Sequence, residues 1–288
     1  MKDAYGRLRT YLSFVRFSHS VFALPFALTG ALLASRYQPL TWGRVFWIVV
    51  CMVTARSAAM GFNRLVDAKF DAGNPRTSGR EIPSGRMSPT EAAAFVIVMS
   101  LFFVGAAAQL SWLCFALSPV ALIVIFWYSL AKRYTWATQL FLGLAMAIAP
   151  IGGWLAAGGG AGWDPWLLGL AIALWVGGFD VLYACQDLDV DRRQHLKSIP
   201  VRFGVARSLA ISRVMHVATV VCLALLGLLA GLGTLYFVGV SAVAVLLVYE
   251  QSLVSESDLS QVKRAFDMNG YVGILYFIFT AMAVYVGR

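Results

Sequence analysis

Asn63, Asp67 and Asp71 recur at every fourth position through "NRLVDAKFDAGNPRT", at the end of a long, mostly apolar run. Residues four apart share one face of a helix, so these three make a polar stripe. A second acidic stretch, "FDVLYACQDLDVDRR", carries Asp180, Asp187, Asp189 and Asp191. On one helix Asp180, Tyr183, Asp187 and Asp191 would share a face, with Asp189 turned away. A lone Asp at a helix end is ordinarily a solvated residue. Six in two short stretches, five of them in the registered stripes, repel one another and raise each other's pKa unless a counter-charge sits between them. Divalent cations remove that conflict. Carboxylates and an Asn carbonyl are hard oxygen ligands that suit Mg²⁺, which takes one or two carboxylates plus substrate phosphate oxygens. Each stripe runs into a basic loop, "NPRTSGREIPSGR" or "RRQHLKSIPVRFG", whose Arg and Lys can bind phosphate by bidentate hydrogen bonds or as point charges. The pattern is that of a Mg²⁺-bound diphosphate site, and a lipid tail on the phosphate explains why it opens into apolar sequence.

The elements that carry these stripes are membrane spans. Of 288 residues 60% are hydrophobic and 13% charged, where a soluble domain carries about a quarter charged residues. Runs of about twenty apolar residues, each long enough for a bilayer core of about 30 Å, recur along the chain. They divide it into nine helices near 14–34, 45–68, 90–109, 111–130, 137–157, 165–186, 209–230, 234–252 and 268–287. Short loops and the lack of an extended linker indicate one domain over 1–288, an all-α polytopic bundle. The second and sixth spans end alike, in an acidic stripe and a basic loop, which suggests a parallel internal repeat around one cavity. Most of the 23 Lys and Arg fall on the N-terminal side, and the other side holds only Arg36, Arg44 and Arg288. The positive-inside rule then puts the N-terminus and the motif loops in the cytoplasm, with the C-terminus opposite. A net charge of +9 is thereby explained by topology and anionic lipid, without nucleic acid. No cleavage site for a signal peptide follows the basic N-terminus. Cys51, Cys114, Cys185 and Cys222 are isolated, form no CxxC pair and read as packing residues. His195 and His216 read the same way or as surface residues, and most aromatics as packing or interfacial anchors.

The residues resemble the UbiA superfamily of intramembrane prenyltransferases along nearly the whole chain. Its NxxxDxxxD motif corresponds to Asn63, Asp67 and Asp71, followed by the similar "NPRT" and "PSGR". Its DxxxD motif corresponds to Asp187 and Asp191, preceded by "DVLYA" at 180–184 and followed by "KSIP" at 197–200. "YSLAKRYT" (128–135) is similar to the loop between the family's fourth and fifth helices. The resemblance implies nine helices around a central cavity, and a reaction joining a polyprenyl diphosphate to a small aromatic acceptor such as 4-hydroxybenzoate in quinone synthesis. It implies two Mg²⁺ ions held by Asn63, Asp67, Asp71, Asp187 and Asp191. Lys69, Arg76, Lys132, Arg133 and Lys197 are then the diphosphate ligands, and Asp180, Tyr128 and Tyr183 the candidates for the reacting centre. It also implies a bacterial inner-membrane enzyme whose other partner is the lipid bilayer; no obligate protein partner is evident.

Two departures bear on the acceptor. The first span reads "VRFSHSVFALPFAL" (15–28), without the "RxxRPxG"-like stretch common among enzymes that prenylate 4-hydroxybenzoate. Arg16 and His19 are the acceptor-binding candidates there, and the stretch looks more like a branch that includes members of the futalosine route to menaquinone. His195 also stands where the family often has Gly. Among other classes, a transporter with an acidic ion site would place ionisable groups at mid-membrane or on both sides. Here the acids cluster at one end. The DGxxAR-type signature of a CDP-alcohol phosphotransferase is absent.

Overall fold

Within lipid a backbone can satisfy its polar groups only as a helix or a closed barrel. A computed structural model describes residues 7, 10, 11, 13–15 and 23–286, and among them the regular elements are helical. In chain order these are α1 (Leu24–Ala34), α2 (Trp42–Ala72), α3 (Pro89–Leu110), α4 (Trp112–Tyr134), α5 (Thr138–Ala156) and α6 (Asp164–Ala184). A 3₁₀ turn (Cys185–Asp187) and the short α7 (Leu188–Arg193) continue α6, followed by α8 (Ile199–Leu229), α9 (Thr234–Ser252) and α10 (Val262–Tyr285). Eight of the helical segments, counting Asp164–Arg193 as one, are long and apolar enough to cross a membrane, and α1 is a shorter apolar helix. The expected all-α membrane bundle of about nine helices is therefore met. Leu101, Ile123 and Val245 are exposed on the outside of the bundle, as lipid-facing residues are.

Where helices start follows local chemistry. Ser88, Ser111 and Ser198 accept hydrogen bonds from Glu91, Cys114 and Val201 backbone N–H groups and so cap α3, α4 and α8. The start of α8 differs from expectation by ten residues. Hydropathy rises only near 209 because Arg202 and Arg207 interrupt the apolar run, whereas the Ser198 cap and Pro200 begin the helix at Ile199. Gly204, at φ +77°, breaks the helical path between the two parts, a conformation that favours glycine. The second span also runs further than expected. With 31 residues α2 is about 46 Å long, more than the bilayer core, and Asp67 and Asp71 lie in its last two turns.

The helices are held by close backbone approach. α5 packs against α1, α4 and α6, and α6 against α8. A Cβ on Gly153 would lie 1.9 Å from the Ala27 carbonyl oxygen, and one on Gly143 2.2 Å from that of Ala173. Only glycine permits these contacts, and in lipid such packing replaces the hydrophobic drive. The loop after α2 is pinned differently. Glu81, buried at 2% exposure, accepts hydrogen bonds from Arg64 of α2 and from Ser13, both at 2.6 Å.

Candidate active site

The end of α2, the loop after it, the last turn of α4, and the α6–α7 segment enclose a polar cavity of about 250 Å³. Asn63, Asp67 and Asp71 line it from α2, and Asp180, Tyr183, Asp187 and Asp191 from the facing segment. The second stripe is not one regular helix as expected, since the 3₁₀ turn interrupts it at Cys185–Asp187. Its four members nevertheless face the same space, and Asp189 is exposed.

Every carboxylate of the first motif is held by cations. Asp67 accepts from Lys132 Nζ at 2.5 Å and from Arg133 Nη2 at 3.2 Å. Both cations sit in the last turn of α4, where positive charge also complements the helix dipole. Asn63 reaches Asp67 and the Ser129 hydroxyl, each at 3.3 Å. Asp71 accepts from Arg80 Nη1 at 2.8 and 2.9 Å. Arg76 makes a bidentate pair with Asp187 at 2.7 and 3.2 Å and also donates to Tyr183 Oη at 3.1 Å. Partial burial opposes the Arg76 charge, but Asp187, Tyr183 and Asp71 outweigh it and hold its pKa above the ordinary guanidinium value. Asp191 accepts the Ser198 hydroxyl at 3.4 Å.

The two halves are also tied through backbone. Gln194 donates to the Phe70 carbonyl at 2.9 Å, and the Lys197 amide to the Lys132 carbonyl at 2.7 Å. Arg76 and Lys132 line the cavity with Lys197, whereas Arg133 acts through Asp67 and the Val66 carbonyl. Lys69 is a correction: it is exposed and outside the cavity lining, because two residues from Asp67 is the opposite side of the helix. Arg16 and His19 lie outside the described residues.

A second, apolar cavity of about 360 Å³ lies between α1, α2, α3, α4 and α5. Tyr128 and Leu142 line both cavities. Among the described residues Arg56 is the one charged residue in the apolar lining, two helical turns from Asn63 on the face that carries the motif.

The model of the UbiA prenyltransferase family matches residues 23–280. The chain belongs to that family. A 4-hydroxybenzoate octaprenyltransferase from Aeromonas salmonicida (strain A449) is 34% identical over 246 residues, covering 85% of this chain and 84% of that protein. The apo structure of a UbiA homolog from Aeropyrum pernix K1 is similar at a TM-score of 0.84 and 33% identity, covering 91% of this chain and 96% of that one. A UbiA homolog from Archaeoglobus fulgidus bound to GPP and Mg²⁺ shares the fold at a TM-score of 0.73 and 18% identity, over 96% and 99% of the two chains. The prenyltransferase expectation is met at the level of the family.

The donor set of this UbiA-family chain fits a divalent cation of one particular kind. Among the described residues no group of three or more His, Cys, Asp or Glu is close enough to hold a metal unaided. A divalent cation held by these residues would complete its shell with water and phosphate oxygens, as Mg²⁺ commonly does. Several polar members escaped the sequence reading: Arg80, Ser129, Gln194 and Arg56. Arg56 left the clearest trace, an arginine in an apolar run, in register with Asn63.

Proposed function

We propose that this chain is a Mg²⁺-dependent enzyme that transfers a polyprenyl group from polyprenyl diphosphate to a 4-hydroxybenzoate-like aromatic acid in quinone biosynthesis. The supporting observation is a pair of neighbouring cavities, one lined by carboxylates and cations, the other apolar, with Tyr128 and Leu142 in both walls. An amphiphile with a diphosphate head and a hydrocarbon tail matches that pair. The names of the Aeromonas relative and the ligands of the Archaeoglobus homolog agree with it.

Asn63, Asp67, Asp71, Asp187 and Asp191 would hold two Mg²⁺ ions, which when bound supply charge neutralisation at the departing diphosphate. Lys132, Arg76, Arg80 and Lys197 bind phosphate oxygens and stabilise the negative charge that grows on them as the C1–O bond breaks. Tyr128, at the junction, turns a ring toward the allylic cation left behind; an aromatic face stabilises a cation without trapping it. Tyr183 assists from the opposite wall and orients Arg76. Arg56 pairs with the carboxylate of the acceptor and so aims an electron-rich ring carbon at C1. The new C–C bond forms there, and a carboxylate oxygen of Asp180 takes the ring proton. The motif side of the bundle faces the cytoplasm of a bacterial inner membrane, and the cavity lies within a single domain over 1–288.

The test is incubation of the purified protein with Mg²⁺, a radiolabelled polyprenyl diphosphate and a panel of aromatic acids. A labelled prenyl-4-hydroxybenzoate and equimolar diphosphate are expected. No prenylated product from any acid would overturn the function, and a product only from another acid would move the acceptor assignment.

A further inference from the structure

The four motif carboxylates are not equivalent. Those of α2 are saturated with cations from outside their own helix: Lys132 and Arg133 on Asp67, Arg80 on Asp71. Arg76 holds Asp187 by a bidentate pair. Among the described residues Asp191 makes no ion pair and accepts the Ser198 hydroxyl. These same cations are the groups that a diphosphate in this cavity would meet. A lysine or arginine on a carboxylate competes with a metal for it, by charge repulsion and by occupying lone pairs, and it leaves more readily when another anion receives it.

We propose that Lys132, Arg80 and Arg76 are exchangeable counter-ions, moving from the motif carboxylates to the phosphate oxygens when diphosphate enters, so that diphosphate and divalent cation bind with mutual cooperativity. This rests on the Mg²⁺–diphosphate reading above. A metal offered alone must compete with the cations at Asp67, Asp71 and Asp187. Diphosphate offered alone must strip the same cations from carboxylates that then stand bare. Offered together, each supplies the partner that the other displaces. Linkage requires the effect to be reciprocal: diphosphate tightens metal binding by the factor by which metal tightens diphosphate binding. The exchange also spares the cavity an unpaired charge at any stage, which matters for Asp67 at 2% exposure.

A signature separates this exchange from a plain phosphate-binding role. Removing Lys132 should weaken pyrophosphate binding but tighten the binding of Mg²⁺ alone, because one competitor for Asp67 is gone. Lys69 is the control, being equally cationic and near but exposed and outside the cavity. Full-length protein in detergent is titrated calorimetrically with Mg²⁺ alone, with pyrophosphate alone, and with each in the presence of the other, after subtraction of their association in solution. The expected results are at least about fivefold coupling in the wild type, and tighter Mg²⁺-alone binding in Lys132→Met but not in Lys69→Met. Arg80→Met supplies the same comparison at Asp71 if Lys132→Met does not fold. Independent binding in the wild type, or an equal gain in Lys69→Met, would overturn the exchange. If the wild type binds neither probe even when both are present, the Mg²⁺–diphosphate reading itself fails.

Discussion

Asp67 concentrates the chemistry of the site at the residue scale. It is buried, yet Lys132 and Arg133 of α4 neutralise its charge, and Asn63 of its own helix donates a hydrogen bond to it. The spacing of the acids made this legible in sequence, since every fourth residue of a helix shares a face. The cations were less so. Lys69 looked equivalent to Arg76 by proximity in the chain, yet helix phase turns it out to the surface. Arg80 and Gln194 matter only because the loop folds back on Asp71 and the α7 end meets Phe70, and no local pattern encodes those contacts. Arg56 carries the prediction that belongs here. Arg56→Met should raise KM for an aromatic acid about tenfold or more, the loss of one charge-assisted contact, while KM for the prenyl diphosphate changes little. Steady-state kinetics with each substrate varied in turn checks this.

The elements position these residues by length and by contact. The last turns of α2 hold two acids in the lining of the polar cavity, and the α4 terminus brings Lys132 and Arg133 against Asp67. Hydropathy placed these spans well. It misplaced the start of α8, where Arg202 and Arg207 mask a helix that Ser198 caps, and it gave no sign of the 3₁₀ turn within the second stripe. Close packing was equally hidden, since a glycine in an apolar run does not reveal which backbone it meets. Gly153→Leu should force α5 away from the Ala27 carbonyl of α1 and cost about 1–3 kcal/mol or more, read as a lower midpoint of thermal unfolding in detergent. The same change should leave Mg²⁺–pyrophosphate affinity largely intact in the folded fraction, because the α2, α4 and α6 termini are not its contacts.

At the scale of the whole molecule, charge and chemistry share one end. The acidic motifs, Arg76, Arg80, Lys132 and Arg133 cluster there, while Arg36 and Arg44 bind the Ala230 and Ala157 carbonyls at the other. The proposed orientation places the first end in the cytoplasm. Single cysteines in a Cys-free background should show it: Gly160→Cys reacts with a membrane-impermeant maleimide in intact cells, and Ser257→Cys reacts only after lysis. The reverse pattern would invert the topology. Two acidic motifs from separate helices, the cations around them and a neighbouring apolar cavity make the proposed site for ionising a lipid diphosphate. Its most direct test is Mg²⁺-dependent transfer of a labelled polyprenyl group to 4-hydroxybenzoate by the wild type, Asp67→Asn and Asp191→Asn proteins. The account predicts product that chelation abolishes and that either substitution lowers about 10²-fold or more, with folding retained. Full turnover in EDTA, or in either variant, would contradict it.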